Sequence, residues 1–256
     1  MLTVPSKNFD ALTRLTFNVE RVTWTLLDLV FPPRCQSCRQ LGERLCARCR
    51  AEIEYLKEPV CSHCGYPHLA PTADDSCDQC RRISFGNIRI RSMAFHGGSL
   101  RNAVHSLKYR RNPALAETLA ALMSQRWIAD FPAEAVLIPV PLGIDRKQAR
   151  GFNQAEILAQ GLGSRWRHPL IVDGLNRQRE TRSQVGLNAQ ERQSNVAGAF
   201  VASAKVKGHS VILVDDVCTT GATLSACAEA LLQSGAEQVW AYTLTRARHD
   251  ADILIQ

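Results

Sequence analysis

Two nucleotide-binding signatures are missing from this 256-residue chain. No GxxxxGK[ST] stretch is present, which excludes a P-loop phosphate site. No GxGxxG follows a strand-like segment, which excludes the dinucleotide fingerprint. Long apolar runs are missing too, and none approaches the roughly 20 residues of a membrane helix. Residues 1–20 alternate polar and apolar side chains with no signal-peptide core, so a cytoplasmic location is the expectation. What remains is a composition near globular averages, with 45% hydrophobic and 21% charged residues. The length allows one α/β domain of roughly 150–170 residues and a small satellite.

Cysteine is plentiful, at ten residues. Eight fall into four CxxC pairs: Cys35/Cys38, Cys46/Cys49, Cys61/Cys64 and Cys77/Cys80. Each CxxC turn offers two sulfurs on one side, and zinc takes four in a tetrahedron, so four pairs make two closed sites. A disulfide ladder would want a secreted protein. Pairing in chain order puts Cys35, Cys38, Cys46 and Cys49 on one zinc and Cys61, Cys64, Cys77 and Cys80 on the other. An interleaved cross-brace is the alternative. His63 and His68 lie near the second site but are redundant beside four thiolates. The stretch is short and polar with no core of its own, so metal must hold it together. The expected division is a helical segment at 1–33, a double zinc ribbon at 34–85 and an α/β domain at 86–256.

The net charge of +7 is uneven. Residues 83–192 hold 16 Lys and Arg against 8 Asp and Glu. That excess fits a polyanionic ligand, whether pyrophosphate or nucleic acid, and equally a solvated basic surface.

Val22–Phe31 has helical apolar spacing and stops at Pro32-Pro33. Further on, strand and helix alternate. Strands are expected at Ile88–Phe95, Ala135–Val140, Val211–Asp216 and Gln238–Thr245. Helices are expected at Leu100–Tyr109, Ala114–Trp127, Phe152–Trp166 and Thr223–Gln233. This alternation predicts an α/β fold with a parallel sheet and helices on both faces. Asp173–Phe200 is polar and arginine-rich with little periodicity, and reads as a long connection.

The most informative stretch is Val211–Thr223, VILVDDVCTTGAT. Apolar residues end in two carboxylates, a Thr-Thr-Gly-Ala-Thr loop follows, and a helix begins. Ligands of open α/β sheets bind at such strand ends, where helix amides and the helix dipole favour an anion. Gly221 permits close backbone approach, and Thr219, Thr220 and Thr223 add hydroxyls. Asp215 and Asp216 suit the paired hydroxyls of a ribose, directly or through a divalent metal. Cys218 contributes backbone here, a catalytic thiol being the alternative, and Cys227 is core.

This segment resembles the phosphoribosyl-pyrophosphate motif of type I phosphoribosyltransferases. Together with LLDLVFPPRCQSC, the four CxxC pairs, HSLKYR at 105–110, IPVPL at 138–142, RGFNQAEILA at 150–159 and TRSQVGLNAQERQSNVAGAF at 181–200, it resembles the ComF family, bacterial proteins associated with DNA uptake during natural transformation. The resemblance covers about residues 24–246. It implies a type I phosphoribosyltransferase-like domain behind two structural zinc ions, with phosphoribosyl pyrophosphate and magnesium as ligands. Asp215 and Asp216 would hold the ribose and act in any catalysis. Val217, Cys218, Thr219, Thr220, Gly221, Ala222 and Thr223 would surround the 5′-phosphate. Val140, Pro141 and Leu142 would form the pyrophosphate loop, with Arg150 at a helix N-terminus and Lys108 as further contacts. Turnover and the acceptor stay open, since no purine or pyrimidine hood is recognisable. The alternative is an inactive protein whose ribbons and basic middle third engage single-stranded DNA or competence partners, with Trp24, Tyr55, Tyr66 and Phe85 as stacking candidates. Elemental analysis of the purified chain should find two zinc ions per molecule, and a folded protein near zero would contradict the reading.

Overall fold

The computed structural model describes residues 31–67, 77, 80, 87–109, 112–179 and 189–248. The expected helix at Val22–Phe31, with Trp24, lies outside them but for Phe31, as do His68, Phe85, Arg182 and part of the 181–200 stretch. Among the described residues the strands are β1 (Ile88–Phe95), β2 (Val136–Pro139), β3 (Leu175–Arg177), β4 (Phe200–Ala202), β5 (Ser210–Cys218) and β6 (Gln238–Arg246). The helices are α1 (Ala47–Ala51), α2 (Gly98–Tyr109), α3 (Pro113–Met123), α4 (Ile144–Arg150), α5 (Gln154–Trp166), α6 (Ala189–Val196) and α7 (Ala222–Gln233).

Four strands form a wholly parallel sheet in the order β1-β6-β5-β2. The apolar run VILV in β5 is buried on both faces, as a central parallel strand requires. Its side chains alternate. Ile212 and Val214 join Trp240, Tyr242 and Leu244 of β6 in the core under α2, α3 and α5. Val211 and Leu213 join Val239 and Ala241 in the core under α7. Helices therefore cover both faces, as the alternation of elements predicts.

Local chemistry sets the helix ends. Asn112 caps α3, its side chain accepting from Leu115 N at 3.2 Å, and Pro113 is the first helical residue. The helix stops at Met123 rather than Trp127. Trp127 adopts φ 57° and donates its indole N–H to Ser92 O at 2.9 Å, so its apolar ring packs on the sheet from a turn. The expected helix at Phe152–Trp166 starts two residues later, at Gln154. The residues before it form a separate helix, α4, ended by Gly151 at φ 82°.

The stretch 173–200 is not a plain connection. It holds β3, which pairs antiparallel with β4, and α6, which packs on α7. Three-residue strands leave no period-2 signal to read.

The cysteine module is not a satellite with no core. Leu45, Ile53 and Cys35, Cys46 and Cys49 belong to the α2–α3–α5 core. Cys61, Cys64 and Tyr66 belong to the α7 core. Between them the chain runs along the outer edge of β1. Leu56 N donates to Met93 O, Phe95 N to Glu54 O, and Ile90 N to His63 O, at 3.0, 2.9 and 2.6 Å. The exposed edge of the sheet is thereby paired and closed.

Gly65 makes that docking possible. It sits at φ 66°, and a Cβ there would lie 2.3 Å from Ile90 O. Gly65→Ala should therefore cost about 1–2 kcal/mol for backbone strain alone, with more from the clash. It should also loosen the second cysteine cluster. Thermal melting with zinc quantification checks this, and an unchanged Tm with both zinc ions kept would contradict the close approach.

Candidate functional site: a strand-end pocket beside two zinc centres

β2 ends at Pro139, opposite Val214 of β5, and Val140 N gives the last bond across, to Val214 O at 2.9 Å. β5 continues to Cys218 with β6 as its only strand neighbour among the described residues. The side left open is a crevice of about 520 Å³. Asp215, Asp216, Val217, Thr219 and Thr223 line it from β5 and the start of α7, Val140, Pro141 and Leu142 from the loop after β2, and Lys108 and Arg150 from the facing helices. The predicted ribose, phosphate and pyrophosphate residues thus meet in one place, although they span over a hundred positions of sequence.

Cys218, Thr220, Gly221 and Ala222 do not line the crevice with side chains. Cys218 is buried beneath it. Gly221, at φ 79°, is the N-cap of α7 and brings no side chain of its own to the helix start, where Ala222 N donates to Thr220 Oγ1 at 3.5 Å. Burial raises the Cys218 thiol's pKa, which argues against a nucleophilic thiolate. Cys227 is core, fully buried in α7.

Arg150 ends α4 instead of starting a helix. Its guanidinium still reaches the crevice, donating to Gln154 Oε1 at 3.0 Å and lying 5.6 Å from the centre of the Tyr109 ring. The cap of α5 is Asn153, whose side chain accepts from Ala155 N and donates to Val140 O at 3.0 Å. One residue thus fixes both the helix start and the loop after β2. The sequence reading did not single out Tyr109 and Gln154 as lining residues, nor Arg146. Tyr109 is 66% exposed, on the crevice rim. It belongs to HSLKYR, so the motif itself carried the signal. Arg177 and Arg192, in the stretch read as a connection, also line the crevice.

The acidic pair is electrostatically strained. Asp215 Oδ1 accepts from Asp216 N at 2.8 Å. Burial at the crevice floor, then the adjacent Asp216 carboxylate, push Asp215 up to about 8. Asp216 has a counter-charge in Lys108, whose Nζ stands 3.1 Å from Oδ2 as an ion pair without an aligned hydrogen bond.

The eight CxxC cysteines form two clusters, in chain order: Cys35, Cys38, Cys46 and Cys49, then Cys61, Cys64, Cys77 and Cys80. Sulfur separations of 3.5 Å for Cys38–Cys46, 3.6 Å for Cys61–Cys80 and 3.5 Å for Cys64–Cys77 are too long for disulfides. They match a tetrahedron with metal–sulfur bonds of about 2.3 Å, whose edges are about 3.8 Å. Backbone amides support the sulfurs, Cys46 N on Cys35 and Cys77 N on Cys61. Such amides pull Cys35 down to about 6 against its burial. These are two zinc-binding sites, and His63 is exposed and belongs to neither.

Of the aromatics named for stacking, Trp24 and Phe85 lie outside the described residues. Tyr66 is buried, and Tyr55 is half-buried beneath Arg126. No helix among the described residues is long and apolar enough to cross a membrane.

Fold and crevice define a phosphoribosyltransferase-type domain joined to a double zinc ribbon. The double zinc ribbon domain family matches residues 26–81, and the phosphoribosyl transferase domain family matches residues 105–252. The competence protein ComFC of Bacillus subtilis is 29% identical over 231 residues, 88% of this chain and 90% of that protein. The DNA utilization protein YhgH of Escherichia coli K12 is 31% identical over 228 residues, 85% and 99% of the two chains. Competence protein F of Haemophilus influenzae is 30% identical over 227 residues, 84% and 97%. The chain belongs to the ComF family.

A carboxyl pKa raised by folding makes stability fall as pH rises. The folded protein keeps the Asp215 proton between about pH 4 and 8 while the unfolded chain releases it, so the penalty is complete above about 8. Asp215→Asn should therefore stabilise the ligand-free protein at pH 8.5 by on the order of 2 kcal/mol, allowing for water in the crevice. At pH 4 the gain should vanish. Melting curves at both pH values decide it, and a gain equal at both would contradict the assignment.

Proposed function

We propose that the strand-end crevice binds phosphoribosyl pyrophosphate or a closely related ribose phosphate together with magnesium. The observation that carries this is the meeting of three separate segments at one crevice: the Asp215–Asp216 pair, the start of α7, and the Val140–Leu142 loop. In this reading Asp215 and Asp216 face the ribose hydroxyls. The amides from Thr219 to Thr223 and the Thr219 and Thr223 hydroxyls surround the 5′-phosphate. Lys108, Arg150 and the loop after β2 hold the pyrophosphate.

Magnesium would supply charge neutralisation on the pyrophosphate. In a transfer reaction the C1–oxygen bond breaks through an oxocarbenium-like state and the electron pair leaves with pyrophosphate. Lys108 and Arg150 would take up that developing negative charge, and the Asp216 carboxylate would favour the positive sugar, joined by Asp215 once its proton has left. The acceptor is unassigned.

The relatives named for competence and DNA utilization support a setting in DNA handling during competence. We propose the same setting for this chain, in the cytoplasm, where thiolates stay reduced for zinc. One observation favours direct contact with single-stranded DNA. Arg146, Arg150, Arg177 and Arg192 surround the crevice, and Tyr109 stands exposed on its rim. Cations and an exposed ring together suit a strand's phosphates and bases. Such binding should weaken steeply with salt.

Calorimetric titration tests the ligand reading. Wild type should bind phosphoribosyl pyrophosphate with magnesium. Asp216→Asn should lose roughly tenfold to a hundredfold in affinity, the cost of about 1.5–3 kcal/mol for one charge-assisted contact. Gly221→Val should lose more, because its φ of 79° is a glycine conformation. Absence of binding by wild type would remove the ligand from the account, and equal binding by Asp216→Asn would remove the acidic pair from it.

A further inference from the structure

Arg246 ends β6 and is the largest fully buried side chain among the described residues, with no exposed surface. A guanidinium out of water needs negative charge and filled hydrogen bonds. Arg246 has few of either. Nη1 donates to Cys64 O at 3.1 Å and to Cys218 Sγ at 3.0 Å. Nε and Nη2 have no hydrogen-bond partner. No carboxylate pairs with it among the described residues. The Tyr66 ring lies 5.8 Å away and contributes its face.

Cysteines are what it meets: the carbonyl of Cys64, a residue of the second zinc centre, and the sulfur of Cys218. Cys218 is a neutral thiol, since burial lifts its own pKa. Four thiolates around one zinc carry a net charge of about −2, so the zinc centre is the anion available to this cation.

The other end of the contact is Cys218, the last residue of β5 and the residue before Thr219. Cys218 and Arg246 are partners in the β5–β6 register, and Ala247 N donates to Cys218 O at 2.9 Å. One side chain therefore touches both a zinc ligand residue and the strand end that carries the phosphate loop.

We infer that Arg246 is the buried counter-ion of the second zinc centre and ties that centre to the phosphate-loop end of β5, so that loss of this zinc releases the loop. Arg246 is a positioning residue in this account, and the inference stands whether or not the crevice binds phosphoribosyl pyrophosphate. It also gives the second ribbon a task beyond its own folding.

The test uses the zinc-loaded full chain, challenged with a chelator while iodoacetamide labels freed thiols, with each cysteine followed by peptide mass spectrometry. In wild type, Cys218 should become labelled in step with Cys61, Cys64, Cys77 and Cys80. Arg246→Met keeps length and removes charge. It should speed labelling of those four cysteines at least about tenfold, in line with losses of partners behind metal ligands, and leave Cys35, Cys38, Cys46 and Cys49 at the wild-type rate. Arg246→Lys should stay close to wild type at all eight. Equal rates in wild type and Arg246→Met would overturn the counter-ion role. Equal acceleration of both clusters, or by both variants, would show lost packing in its place. If Arg246→Met does not fold, wild type still decides: Cys218 protected after the second zinc has gone would refute the tie to the loop.

Discussion

Beyond Val214, β5 has a strand neighbour on one side only among the described residues. β2 has ended at Pro139 and the chain turns away through Val140, Pro141 and Leu142. Everything at the crevice follows from that mismatch in strand length. A strand paired on both sides would bury its backbone in the ladder and leave no room beside it. Here the open side receives Asp215 and Asp216, and the start of α7 closes the far end. Asn153 keeps the gap open by holding Val140 O from the facing helix. The two carboxylates are costly in such a place, and their cost is answered locally, by Lys108 for one and by retention of a proton for the other.

The zinc module solves a different problem for the same sheet. β1 is an outer strand whose free edge would invite pairing with another chain. The segment between the two cysteine clusters lies along it, and the clusters grip the sheet from opposite faces. The first sits against α2, where Ser99 Oγ donates to Cys49 O at 2.7 Å and Ser106 Oγ to Gln36 Oε1 at 2.6 Å. That helix carries Lys108 to the crevice. The second sits against β6 through Arg246. Each metal centre thus braces a different wall of the same pocket, which gives a physical reason for a zinc ribbon to precede a phosphoribosyltransferase fold.

Much of this was legible in residue order, and the rest was hidden for definite reasons. VILVDDVCTTGAT announced strand, acidic pair and loop because a buried parallel strand is a continuous apolar run and the glycine marks a left-handed turn. Four CxxC pairs announced two metals, though only the folded chain chose sequential pairing over the cross-brace. The β3–β4 ribbon escaped because three residues show no period. α4 escaped because its residues, IDRKQAR, are mostly polar and the short helix carries no apolar stripe. The ribbons looked coreless because Leu45, Ile53 and Leu56 are few, and their partners lie on the sheet. Tyr109 was inside a recognised motif, yet its place on the rim depends on the end of α2 meeting α4. Arg246 gave no sign at all, since a terminal arginine on a strand reads as a solvent-facing charge.

The central claim is that the open end of β5 is a ribose-phosphate site. A crystal structure of the full chain with ribose 5-phosphate and magnesium tests it most directly. The account predicts the phosphate against the backbone amides between Thr219 and Thr223, and the ribose hydroxyls turned toward Asp215 and Asp216. A phosphate bound only to the rim arginines Arg146, Arg177 or Arg192, with the α7 start empty, would contradict it.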